Sequence, residues 1–166
     1  MNRGASRVVI GLGANLGDRL ATMREAVARI ARVAGIEVAA RSRVYETAPV
    51  GGPPQPPFLN AAIAVECTLS PLGLLAELFA IEVALGRIRS DDQVRFGPRT
   101  IDLDVLWIEG VTVDDPRLVV PHPRLAGRAF ALVPMLEVAP NALDPRTGAV
   151  LVAPLDDGVR LTDWPL

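Results

Sequence analysis

Lysine is missing from this chain: all 17 basic residues are arginine. Codon bias in a GC-rich genome accounts for that skew more readily than function does, but the consequence is the same. A P-loop needs its lysine, so a Walker-type nucleotide site is excluded. Any phosphate bound here must be held by arginine, histidine, backbone N–H groups or metal. Cysteine and histidine occur once each. Cys67 has no intramolecular disulfide partner, and one Cys with one His falls short of a structural zinc site. Cys67 lies in an apolar run and is expected as a core thiol. Net charge is only −2, so no global basic field draws the chain to nucleic acid or anionic lipid. The aromatic and basic surface of an RNA-binding sheet is also missing. The long uncharged stretch Ala48 to Val65 contains Pro49, Pro53, Pro54, Pro56 and Pro57, which excludes a membrane helix. "RVVIGLGA" is short and lacks the flanks of a signal peptide. The expectation is a monomeric cytoplasmic protein with small-molecule partners, no nucleic acid and no membrane. With 166 residues, half of them hydrophobic, residues 1–166 suit a single domain.

What is there alternates between strand and helix signals. "SRVVIGLGA" reads as a strand ending in glycines. Leu20, Met23, Val27, Ile30 and Ala34 recur at helical spacing, predicting a helix from about Asp18 to Val33, closed by Gly35. "IEVAARSRVYET" reads as one strand and "APVGGPPQPP" as a proline-stiffened loop. "FLNAAIAVECTL" is a third strand. Ser70-Pro71 is an N-cap followed by proline at the first helical position. The helix it opens should carry Leu72, Leu75, Leu78, Phe79 and Val83 inward and end at Gly86. An arginine-rich loop leads to the strand "TIDLDVLWIEG". "VPHPRLAGRAF" and "ALVPMLEVAP" read as short helices and turns, and the tail from Asn141 as a small hairpin. This order predicts an α+β, ferredoxin-like sandwich. A mainly antiparallel sheet would pack helices on one face and leave the other open for ligands.

Asp102 and Asp104 are the anomaly of that pattern. Residues two apart on a strand share a face, so two like charges stand roughly 7 Å apart at their Cα atoms. Arg87, Arg89, Arg95 and Arg99 precede them. Guanidinium groups match phosphate oxygens bidentately, and two carboxylates suit a hard cation such as Mg²⁺ that keeps phosphates as further ligands. A solvated charged loop and a solvent-facing strand are the plain alternatives. Together the features favour metal and polyphosphate.

"GLGANLGD" gives G-x-G-x-x-x-G, not the dinucleotide fingerprint, and reads as strand-to-helix turn chemistry. His122, between prolines and near Arg117, Arg124 and Arg128, is either structural or a phosphate contact. Phe58 and Asn60 share a strand face. They suit a flat heterocycle with polar edges, or an edge aromatic and a turn-prone amide.

"GPRTIDLDVL", "VPHPRLAGRAF", "YETAPVG…FLNAA" and "GLGANLGD" together resemble the 6-hydroxymethyl-7,8-dihydropterin pyrophosphokinase family (2-amino-4-hydroxy-6-hydroxymethyldihydropteridine diphosphokinase) of folate biosynthesis. The resemblance runs from about residue 8 to 140. It implies a ferredoxin-like fold and transfer of the β,γ-diphosphate of ATP to the pterin hydroxymethyl group, with AMP released and two Mg²⁺ assisting. It implies Asp102 and Asp104 as metal ligands, and Arg87 and Arg99 as catalytic arginines. Glu82, Arg89, Arg95, Arg117, His122 and Arg128 fall on the ATP side. Thr47, Val50, Phe58, Asn60 and Phe130 fall on the pterin side. Phe96 stands where members often have Trp, Phe58 where they have Tyr, Pro123 where some have Tyr, and Ala48 where some have a second Pro. A non-catalytic nucleotide- or pterin-binding module is the competing expectation. Paired carboxylates with loop arginines argue against it, since a pure binder has little need of two metals.

Overall fold

The computed structural model describes residues 4–88, 97–154 and 158–166. They form, in order, β1 (Ser6–Ala14), α1 (Arg19–Ile30), β2 (Ile36–Arg41), β3 (Arg43–Thr47), β4 (Phe58–Cys67), α2 (Pro71–Ala84), β5 (Asp102–Ile108), β6 (Val113–Asp115), β7 (Leu118–Val120), a 3-10 turn (Leu125–Gly127), α3 (Ala129–Val138) and β8 (Arg160–Pro165). No helix among them is long and apolar enough to cross a membrane.

Both long helices start where their capping signals stand. Asp18 accepts a hydrogen bond from the Ala21 amide at 3.1 Å. Ser70 accepts one from the Gly73 amide at 3.1 Å, with Pro71 as the first helical residue. These bonds satisfy amides that the first turn leaves unpaired. The inward face of α2 differs from the expected one. Leu74, Leu75, Leu78, Ile81 and Glu82 are buried, whereas Phe79 and Val83 are exposed. The inward stripe runs through a carboxylate, Glu82, so its last turn does not read as apolar.

The segment 36–47 is two strands. At Ser42 the amide donates to the Ala62 carbonyl at 2.8 Å, and the Ser42 hydroxyl accepts from the Ala62 amide at 2.8 Å. A side-chain oxygen thus replaces a ladder carbonyl, and the chain bends there. β2 and β3 lie in succession along one edge of β4. The sheet has six strands in the order β5-β1-β4-β3-β8, with β2 also on β4, and its described pairings are antiparallel. β6 and β7 form a separate hairpin.

One face carries Val8, Ile10, Leu12, Ile63, Val65, Leu103 and Val105 into a core shared with α1 and α2. Cys67 is a buried free thiol in that core. The other face was expected to stay open. Part of it is covered: Val9, Ala62, Ala64 and Trp107 pack against Leu132, Met135 and Val138 of α3. The sequence "ALVPMLEVAP" is therefore mostly one helix, which runs through Pro134. Proline removes one helical N–H, and burial of the helix against the sheet outweighs that loss. The tail turns back on itself as a small hairpin: Leu143 bridges Val150, the Asp144 amide donates to the Ala149 carbonyl at 2.8 Å and the Leu151 amide to the Ala142 carbonyl at 3.0 Å. It then returns as β8 on the free edge of β3.

Candidate active site

β1 and β5 set the site by register. Gly11 pairs with Asp104 and Gly13 with Asp102. On its other side β1 pairs Gly13 with Asn60. Directly paired residues share a face, so two aspartates, two glycines and an asparagine lie in adjacent rows. Ile101, Leu103 and Val105 are buried on the opposite face, as alternation predicts. A bulge where Val9 pairs with Trp107 and Ile10 with Val105 then shifts the parity of β5. Trp107 joins the α3 side, while the aspartates stay on the uncovered part of that face.

A cavity of about 890 Å³ opens there. Its lining includes Asp102, Asp104, Arg99 and Arg128, and also Thr47, Val50, Phe58, Asn60 and Phe130. The acid-arginine cluster and the residues expected to hold a flat ring therefore share one cleft. Asn60 donates to the Thr47 hydroxyl at 2.7 Å, which fixes its amide. The Arg128 guanidinium carbon lies 5.7 Å from the Phe130 ring centroid.

Asp102 is clamped by arginine. Arg87 Nη1 donates to its Oδ1, and Arg99 Nη1 donates to Oδ2 at 2.5 Å. Burial alone would raise the Asp102 carboxyl, but the two guanidinium groups outweigh it and hold it below the ordinary range. Asp104 is tuned the other way. Burial, and then the charge of Asp102, push its carboxyl up to about 7. Among the described residues nothing donates a hydrogen bond to Asp104. A carboxylate facing a cleft without a donor, beside a second one, is a donor set that a hard divalent cation satisfies. Among the described residues no third histidine, cysteine or acid joins the pair as a ligand group. Substrate oxygens or water must complete any coordination shell.

Glu82 and Arg87 stand outside the lining. Glu82 is fully buried. Its Oε1 accepts from Arg87 Nη1 at 2.8 Å and from the Leu103 amide at 2.7 Å. It therefore grips the strand between the two aspartates and orients the arginine that meets Asp102. His122 is also outside the lining, although Pro123 and Arg124 belong to it. His122 Nδ1 accepts from the Arg124 amide at 3.2 Å, which leaves the proton on Nε2. Burial, then Arg128 and Arg124, hold the ring below its usual pKa. Arg117 sits at the β6–β7 turn, exposed, with a two-point pair to Asp115, and does not reach the cavity. Arg89 and Arg95 lie outside the described residues.

Two features escaped the sequence. Gly11 and Gly13 lie inside β1 and line the cavity, and only Gly17, with φ 65°, makes the turn. A Cβ on Gly11 would sit 2.9 Å from a Leu106 methyl, so that side chain would have to shift, and one on Gly13 would touch Asn60 Oδ1 at 3.4 Å. The signal was their spacing of two, which matches the spacing of the aspartates across the ladder. Asn15, nearly fully buried, is the other. Its Oδ1 accepts from the Arg99 amide at 2.8 Å. Its Nδ2 donates to Gln55 Oε1 at 2.9 Å and the Pro56 carbonyl at 3.0 Å. One side chain thus ties the proline loop to the residue that presents Arg99.

Known proteins agree with this geometry. The model of the 7,8-dihydro-6-hydroxymethylpterin-pyrophosphokinase (HPPK) family matches residues 9–140. A 2-amino-4-hydroxy-6-hydroxymethyldihydropteridine pyrophosphokinase of Methylorubrum extorquens is 49% identical over 136 residues, covering 82% of this chain and 84% of the relative. One of Synechocystis sp. is 40% identical over 158 residues, covering 95% and 79%. A solved HPPK-DHPS chain in complex with substrates shares the fold, with a TM-score of 0.70 at 12% identity; the match covers 90% of this chain but only 42% of that one. Family model, relatives and shared fold meet on one conclusion: this chain belongs to the 7,8-dihydro-6-hydroxymethylpterin-pyrophosphokinase family.

Proposed function

We infer that the chain transfers the β,γ-diphosphate of ATP to the hydroxymethyl oxygen of 6-hydroxymethyl-7,8-dihydropterin, a step of folate biosynthesis. The hydroxymethyl oxygen loses its proton to water and bonds to the β-phosphorus, the bond from that phosphorus to the α,β-bridging oxygen breaks, and AMP leaves with that oxygen. The observation that carries this reading is one cleft that holds an arginine-clamped Asp102 beside Asp104, together with an aromatic pocket with a fixed amide.

Such a transfer needs in-line placement and charge neutralisation more than covalent help. Phe58 and Phe130 would sandwich the pterin ring, and Asn60, oriented by Thr47, would read its polar edge. Val50 would close over the ring from the proline loop. Magnesium held by Asp102 and Asp104, two ions in this reading, would supply charge neutralisation and polarise the phosphoryl oxygens. Arg99, and Arg87 through its contact with Asp102, would stabilise charge on the leaving oxygen. Arg128, Arg89, Arg95 and the Nε2–H of His122 are proposed as contacts along the ATP phosphates, and Arg117, which stands outside the cavity, as a further arginine on the nucleotide side. Glu82 would serve that side by holding Arg87 rather than by touching nucleotide. We propose the monomer as the working unit.

The test is incubation with ATP, magnesium and hydroxymethyldihydropterin, followed by identification of the nucleotide product. AMP is expected, and ADP as the only nucleotide product would sink the reading.

A further inference from the structure

We propose that the C-terminal strand β8, which lies beyond the family-matched residues 9–140, is a working wall of the cleft and positions the ring-binding end of it. The inference rests on the transferase reading above and extends it to a segment with no assigned role.

Three observations carry it. Gly158, just before β8, lines the cavity. A Cβ built there meets nothing within 4 Å, so a side chain would extend into open space. Among the described residues β8 also supplies the only sheet partner on the outer edge of β3: Tyr45 pairs with Leu161 and Glu46 with Arg160. β3 pairs with β4 through only Tyr45, Glu46 and Thr47, and it delivers Thr47, which fixes Asn60. The Thr162 hydroxyl donates to the Val44 carbonyl at 2.8 Å and strengthens the same edge. Finally, β8 is linked to the proline loop by a relay. Arg160 pairs with Glu46. Glu46 accepts from Arg19 at 3.1 Å, and Arg19 donates to the Pro57 carbonyl at 2.9 Å. Pro57 precedes Phe58, the proposed ring-stacking aromatic.

An exposed ion pair contributes little alone. Here it closes a loop of contacts from β8 through β3 and α1 to the residue before Phe58. Among the described residues, Asp102, Asp104 and Arg128 share no hydrogen bond with Arg160, Glu46 or Arg19; the relay reaches the phosphate end only at one remove, through Glu137 of α3, which accepts from Tyr45, and through Asn15, which joins the proline loop to Arg99. β8 should therefore act far more on the pterin side than on the nucleotide side.

The experiment compares steady-state kinetics of the parent with Gly158→Asn and with the double variant Arg160→Gln/Thr162→Val. Asparagine tolerates a positive φ, and Gly158 has φ 63°. The KM for hydroxymethyldihydropterin is expected to rise roughly three- to tenfold in each variant, the scale of one or two net hydrogen bonds. The KM for ATP should stay near the parent value. Should the double variant loosen the fold, Gly158→Asn, which breaks no pairing, carries the test. Unchanged pterin KM in an active Gly158→Asn protein overturns the role of β8, as does an equal rise in both KM values. A parent that forms no AMP overturns the transferase reading instead, and the role of β8 with it.

Discussion

At the scale of single residues, Asp102 and Asp104 share a strand face and a cleft, yet they are tuned apart. Two arginines keep Asp102 ionised, while burial and that very charge lift Asp104 to about 7. The stability consequence has a definite sign. An aspartate in the unfolded chain ionises near 3.8, so the folded state holds the Asp104 proton more tightly. Its contribution to stability is full below about pH 4 and is lost as pH rises through about 7. Asp104→Asn removes that loss. In chelator, the variant should be more stable than the parent at pH 8, by up to about 4 kcal/mol. The difference should close as pH falls to about 4. Urea denaturation across that range checks this, and a variant that never exceeds the parent in stability refutes it.

At the scale of elements, α2 and β5 are locked by one buried carboxylate. Glu82 accepts from Arg87 and from the backbone of Leu103. Truncation would leave a buried guanidinium and a buried amide short of a partner. Glu82→Ala should cost about 3–5 kcal/mol. Glu82→Gln keeps an acceptor for Leu103 and should retain more stability while still weakening the hold on Arg87. Thermal and chemical unfolding of the two variants measures this. Equal stability of Glu82→Ala and the parent would show that the lock is idle. Asn15 makes a similar bond between the proline loop and Arg99. Both links join segments far apart in sequence, and both set where an arginine of the site stands.

At the scale of the whole molecule, the sheet has a firm centre and lighter edges. β4 pairs with β1 on one side and with β2 and β3 on the other. It packs on both faces, with Ile63 and Val65 on one and Ala62 and Ala64 on the other. Among the described residues β8 pairs only with β3, and β6–β7 stands outside the main sheet. Amide hydrogen exchange should therefore be slowest in β1 and β4 and markedly faster in β8 and β6–β7. Slower exchange in β8 than in β4 would contradict this distribution. The cleft lies where the firm centre meets the proline loop and the segment that enters β8.

By itself the sequence determined what local rules and motif spacing can carry. Caps at Asp18 and Ser70, alternation in "TIDLDVL" and the arginine-aspartate block marked the helices, the strand face and the chemistry. Those signals depend on neighbours within a few residues. Only the tertiary structure decided the rest, because it depends on what lies across a ladder or behind a helix. Gly11 and Gly13 gained meaning from Asp104 and Asp102 on the adjoining strand. Glu82 turned inward because an arginine and a strand amide await it there, and Phe79 and Val83 were left outside. Ser42 breaks a strand because Ala62 lies opposite, and the tail becomes β8 because β3 had a free edge. Long-range pairing satisfies polar groups that local sequence leaves open, and that physical demand placed these residues.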